Sequence, residues 1–232
     1  MLRATGASVR GPGHVLNHQP NQDSLGIWGH KGGWLAVVAD GLGSRPLSHI
    51  GSRAACLSAR RVIRSGFSFG EPKSLMGAIY RDWLASITVA PSSAGTTFLI
   101  ALTDKNGRTV LSQLGDGLVL YRSRGSFGIL TPKREGFADQ TNGLGFSRSW
   151  KDWQSSTVTL SAPGDGAMLM TDGISDDLYQ KDLEKFFQKM QKEFSRRSSR
   201  LAKQWMTTQL ECWPTPGHSD DKTIAMIWLD SI

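Results

Sequence analysis

Apolar and polar positions follow two rhythms along this chain. "DSLGIWGH" (23–30) and "GGWLAVVAD" (32–40) read as two strands joined by a Lys31-Gly32-Gly33 turn. "PLSHIGSRAACLSARRVIRSG" (46–66) reads as a helix with Pro46 near its start and Gly66 at its end. A second helix follows over 71–87, where Leu75, Ile79, Trp83 and Ile87 recur at every fourth position. Short strands come next: "GTTFLIALTD", "RTVLSQLGD", "GLVLYRSRG" and "SFGILT". Residues 133–153 have no clean period and predict a long loop or small flap. "SSTVTLSA" and "GAMLMTD" return to strand, and most of 176–212 is helical and charged. "KTIAMIWLD" closes the series; it is apolar on both faces, which predicts a central strand. Short turns inside the strand groups favour antiparallel pairing, so the fold class is α+β, with sheets covered by helices.

Three of the apolar runs stop at the same dipeptide. "WLAVVADG" ends at Asp40-Gly41, "VLSQLGDG" at Asp116-Gly117 and "AMLMTDG" at Asp172-Gly173. Asp-Gly is a common turn pair, and Asp165-Gly166, between a Pro-Gly and a strand, reads as no more than that. The other three place a carboxylate where a buried strand has just ended. Strands ending on one edge would bring them together, and like charges that close need a cation or a proton. Clustered carboxylates with backbone carbonyls suit hard cations such as Mg²⁺ or Mn²⁺. Asp220-Asp221, before the last strand, and Asp23, opening an early one, extend the set.

Composition narrows the classes. With 39% hydrophobic and 20% charged residues, one globular domain over 1–232 is expected. No apolar run approaches the roughly 18–20 residues of a bilayer span. The opening "MLRATGASVRG" lacks an apolar core, so no secretory leader is expected. Cys56 and Cys212 form no CxxC pair, which fits a reduced, cytoplasmic compartment. The net charge of +7 permits an anionic partner without choosing one. Arg53, Arg60, Arg61 and Arg64 on one helix, and Arg196, Arg197, Arg200 and Lys203 near another, read as solvated faces. No aromatic-basic interleaving points to nucleic acid. Trp83, Trp205, Trp228, Met168, Met170, Met226 and Cys56 read as core.

"NQDS", "VVADGLGS", "AGTTFLIAL", "LGDGLVLYRSRG", "LMTDGISDDL" and "SDDKTIAMI" stand in the order of the motifs of metal-dependent type-2C Ser/Thr protein phosphatases. The resemblance runs from about Gly13 to Ile227. It implies an α-β-β-α sandwich of two antiparallel sheets, with two Mn²⁺ or Mg²⁺ ions at one end. Asp40 would bridge both ions and the Gly41 carbonyl would bind one. Asp172 and Asp220 would complete the first site, and Asp23 would lie by the second. Asp116 and Asp172 could hold a third, weaker ion. Asp220 is favoured over Asp221 because the family's final Asp sits three residues before a Thr or Ser, here Thr223. The implied reaction is phosphoserine or phosphothreonine hydrolysis by direct attack of a metal-bridging water, with no phosphoenzyme. "GPGHVLNHQPNQDS" and "REGFADQTNGL" resemble a compact bacterial subgroup often encoded beside a protein kinase and a von Willebrand A-type protein. A phosphorylated protein, such as that kinase, is the implied partner, and a monomer is favoured.

The chain departs from the family at the phosphate grip. Better-known members carry an Arg three residues before the Asn of "NED"; here that position is His18, and the Glu is Gln22. His14, His18 and Arg45 are the candidates to replace the Arg, with His14 preferred for phosphate contact or protonation of the leaving group. The alternative is a phosphatase fold that turns over weakly and serves to bind a phosphorylated partner. A metal-dependent nuclease, suggested by charge, has no motif to support it.

Overall fold

The computed structural model describes residues 1–67, 71–131, 142–147, 149–214 and 218–230. Ten strands form two five-stranded antiparallel sheets. One has the order β1 (Leu2–Val9), β10 (Lys222–Leu229), β9 (Gly166–Met170), β6 (Leu118–Ser123), β7 (Ser126–Ile129). The other runs β2 (Ser24–His30), β3 (Gly33–Ala39), β4 (Phe98–Thr103), β5 (Arg108–Leu114), β8 (Trp153–Thr159).

The two-residue period of a strand sorts the side chains into layers. In β3, Ala36 and Val38 meet Leu99, Val119, Leu169 and Ile227 between the sheets. Leu35, Val37 and Ala39 face outward against α2 (Ser48–Arg64) and α3 (Pro72–Ser86) through Ala55, Ala59, Ile79 and Trp83. On the opposite outer face, Met168, Met226 and Trp228 pack on α5 (Leu183–Ser195) and α6 (Ser199–Glu211) through Phe187, Phe194 and Met206. The result is the expected four-layer α-β-β-α sandwich. β10 lies between β1 and β9, an interior strand as its apolar pattern predicts. No helix among the described residues is long and apolar enough to cross a membrane.

Three features escape the pattern. β1 pairs along the whole of β10, yet its small residues Ala4, Gly6, Ala7 and Ser8 carry little strand propensity. The short helices α1 (Pro12–Leu16) and α4 (Asp172–Ser175) are too brief to show a period. The predicted flap is divided: residues 132–141 and 148 lie outside the described residues, Trp150–Asp152 forms a 3-10 turn, and β8 begins at Trp153. Asp165 is a turn residue, as expected, and also a fully buried hub. Its carboxylate accepts the N–H groups of Arg124, Gly125, Ser161 and Ala162 at 2.8–2.9 Å.

Candidate metal centre

Antiparallel pairing carries residues distant in sequence to one end of the sandwich. Asp172 follows β9, Asp116 precedes β6, and Met170 pairs with both Leu118 and Ile224, so the approach to β10 with Asp220 lies alongside. Asp40 closes β3, where its carbonyl accepts Thr97 N–H at 2.7 Å and the Thr96 hydroxyl at 2.8 Å. The two threonines of "AGTTF" therefore pin that strand end. Asp116 sits between Gly115 and Gly117, whose φ values of 88° and 95° suit glycine.

One carboxylate oxygen from each of Asp40, Asp116 and Asp172 lies within 4.8 Å of the others. His14, Asp220 and Asp221 form a second such group. Both open on a cleft of about 1090 Å³ whose walls include His14, Asp40, Gly41, Arg45, Asp116, Asp172 and Asp220. Burial, then the charges of Asp23, Asp172 and Asp220, raise the Asp40 carboxyl well above its usual range. Burial pushes Asp172 up to about 6, helped by Asp116, Asp220 and Asp176.

The remaining predicted residues occupy distinct places. Asp23 is buried behind the cleft and is not among its lining residues; its carboxylate accepts the Thr171 hydroxyl at 2.9 Å. Burial first, then Asp221 and Asp172, push it up to about 8 against the pull of the Thr223 and Thr171 hydroxyls. Asp221 does more than turn the chain. It is buried and accepts Gly11 N–H at 2.7 Å and Gln22 N–H at 2.6 Å, with His14 Nδ1 at 2.8 Å. Asp220 remains exposed at the cleft. His18 is exposed and outside the cleft lining. Arg45 lies in the cleft wall, its guanidinium 4.5 Å from the Phe146 ring centre and its Nε buried without a hydrogen-bond partner. His218, which sequence reasoning passed over, also lines the cleft, with Nδ1 2.7 Å from Asp177 Oδ2. No spacing in the sequence links His218 to Asp177.

The donor set fits divalent cations. Asp172 Oδ1 is buried with no hydrogen-bond partner, and neighbouring carboxylates hold one another's pKa up for want of positive charge. Hard cations with oxygen ligands relieve both defects.

Two antiparallel sheets between helical layers, with an acidic, cation-fitting cleft at one end, have the architecture of metal-dependent phosphatases. The family model described as "Protein phosphatase 2C" matches residues 10–213, and the chain belongs to that family of metal-dependent Ser/Thr protein phosphatases. Among solved structures, it resembles the catalytic domain of the serine/threonine protein phosphatase PstP in complex with two manganese ions. The TM-score is 0.70 at 17% identity, over 99% of each chain. The photosystem II phosphatase PBCP gives 0.69 at 16%, over 100% of both chains. PppA, a regulatory component of the type VI secretion system of Pseudomonas aeruginosa, gives 0.66 at 17%, over 98% of this chain and 97% of that one. At these identities the likeness shows the fold. No curated protein matches the chain.

Proposed function

We propose that this chain hydrolyses phosphoserine and phosphothreonine in proteins, by direct in-line attack of water on phosphorus and without a phosphoenzyme. The observation that carries the reading is the convergence of Asp40, Asp116 and Asp172 within 4.8 Å, with a buried Asp172 oxygen left unpaired. These three, with Asp220 and the Gly41 carbonyl, would hold two Mn²⁺ or Mg²⁺ ions and a weaker third, and Asp23 supports the cluster from behind. When bound, such cations lower the pKa of water and offset phosphoryl charge.

The chain's own groups supply the rest. Arg45, over the Phe146 ring, offers guanidinium donors to the phosphoryl oxygens. His14 lines the cleft, with its Nδ1 2.8 Å from the Asp221 carboxylate. As the bond from phosphorus to the seryl oxygen breaks, His14 gives that oxygen a proton, and serine and inorganic phosphate leave. The substrate is a phosphorylated protein, with a kinase encoded nearby as the first candidate.

Phosphate release from a phosphothreonine peptide, with and without Mn²⁺, tests the reading. Asp40→Asn and Asp172→Asn should each remove nearly all turnover, retain the circular dichroism of the parent and weaken Mn²⁺ binding in calorimetry. Retained turnover in either would overturn the assignment. Phosphopeptide binding without turnover in the parent would select the binding-module alternative.

A further inference from the structure

The catalytic cleft does not end at the acidic cluster. Ser147 and Ser149 line it and also line a second groove of about 600 Å³ over the outer face of α3. Phe67, Met76, Tyr80, Trp150 and Trp153 line this groove, beside the polar Glu71 and Ser74. Exposed Lys73 and Arg81 stand at its rim.

The aromatic residues of the groove pack against the core. Trp153 meets the fully buried Phe98 edge to face, and Tyr80 stacks on the fully buried Trp83, both with ring centres 6.0 Å apart. Trp150 stacks on Trp153 at 6.0 Å with 17° between the planes. A capping box fixes the turn that carries Trp150: the Ser149 hydroxyl accepts Lys151 N–H, and Asp152 accepts Ser149 N–H. Partly exposed aromatic faces held by a packed second layer are the form of a binding surface. Trp150 and Tyr80 cover the core with one face and leave the groove side open.

We propose that this groove is a specificity subsite for the substrate polypeptide. It takes a bulky apolar side chain, aromatic by preference, a few residues from the phosphorylated one. The inference rests on the phosphatase reading, which places the phosphoryl group at the acidic cluster; the chain flanking it then leaves across Ser147 and Ser149 into the groove. The groove carries an aromatic cluster and shares Ser147 and Ser149 with the cleft, so it selects peptide context where the acidic cluster selects phosphate.

The test uses phosphothreonine peptides in which a single Trp is moved through the flanking positions of an alanine background, compared with 4-nitrophenyl phosphate, which has no flanking chain. One position should raise kcat/KM about tenfold or more, the scale of a well-packed aromatic anchor. Trp150→Ala should erase that preference, acting mainly on KM. Gly77→Phe, at another lining position, should do the same by obstruction while leaving the aromatic residues in place. A Cβ at residue 77 meets nothing closer than the Arg81 guanidinium at 3.5 Å, so the backbone there accepts a side chain, and circular dichroism checks that the Phe variant keeps the parent fold. In both variants the loss on the peptide should exceed the loss on 4-nitrophenyl phosphate about tenfold. A wild type with no positional preference, or equal losses on both substrates, would overturn the subsite. Failure of the wild type to hydrolyse 4-nitrophenyl phosphate would instead strike the phosphatase reading. The subsite is then read from anisotropy of labelled peptides, where the same positional preference in Kd is expected and its absence overturns it.

Discussion

At the scale of single residues, proton and cation compete for the same oxygens. Asp23, Asp40 and Asp172 have folded-state pKa values above their unfolded ones, because burial and mutual repulsion disfavour the charged form. From about pH 4, the unfolded carboxyl value, up to the folded values, the native state binds more protons than the unfolded state. Stability without metal should therefore be greatest below about pH 4 for this contribution and fall as pH rises, through about 6 for Asp172 and about 8 for Asp23. Thermal melts between pH 5 and 8 should show that decline, and Mn²⁺ should raise the melting temperature more at pH 8 than at pH 5. A flat metal-free profile would refute the clustered-charge account. His14 is tested by leaving group. A seryl oxygen needs a proton as it departs and an activated phenolate does not, so His14→Ala should slow phosphoserine-peptide hydrolysis about 10²–10⁴-fold and 4-nitrophenyl phosphate much less. Equal slowing would reduce His14 to phosphate binding or support. The adjacent Asp220 and Asp221 divide their labour by burial: the exposed one faces the cleft, the buried one ties Gly11, Gln22 and His14 together.

At the scale of elements, the long helices were legible because each buries one face at a period near four, and the central strands because they are short apolar runs buried on both faces. Leu75, Ile79 and Trp83 are all buried in α3, as their spacing predicts. The edge strand β1 was not legible, since small residues suffice where the partner β10 supplies the bulk. The β6–β7 hairpin is joined to the turn before β9 through Asp165. Burial alone would raise the Asp165 carboxyl; four backbone N–H donors more than offset it and hold it below the usual range. That contribution is present above the unfolded carboxyl pKa and is lost as pH falls through the depressed folded value. Asp165→Ala should cost on the order of 1–3 kcal/mol by leaving buried donors unpaired, and should soften the acid limb of the stability profile, as read by urea unfolding at several pH values. The contact between α2 and the loop at Ala94 is equally specific. A Cβ at Gly51 would lie 1.7 Å from the Ala94 carbonyl oxygen, so Gly51→Ala should cost on the order of 1–3 kcal/mol despite the higher helix propensity of alanine.

At the scale of the whole molecule, charge is arranged with separate purposes. Part of the basic surface is engaged within the fold. Arg61 pairs with Asp82 at 2.6 Å, Arg60 covers Trp28, and Arg197 bonds Glu193 and covers Trp205. These three are held by contacts within the fold, whereas Arg53, Arg64, Arg200 and Lys203 are exposed, as a solvated face predicts. The acidic end, by contrast, joins carboxylates from both sheets. Cations bound there stabilise only the folded chain, by RT ln(1 + [L]/Kd), or about 2.7 kcal/mol at a hundredfold excess over Kd. Denaturant unfolding with increasing Mn²⁺ should follow that logarithm, and Asp172→Asn should flatten it.

The sequence by itself determined the alternation of apolar runs and turns, the helical faces and the three Asp-Gly strand ends. Those are local properties, set by periods of two and nearly four residues and by the turn chemistry of glycine. Only the tertiary structure decided which carboxylates meet. Residues 40, 116 and 172 become neighbours, with 220 on the same cleft, because antiparallel strands return to one end of a sandwich, and no local rule encodes the order of those strands. The same holds for the ties between His14 and Asp221 and between Asp177 and His218, and for Arg45 lying on Phe146. In each case a short polar or aromatic contact joins segments far apart in the chain, and its energy exists only once the sheets have packed.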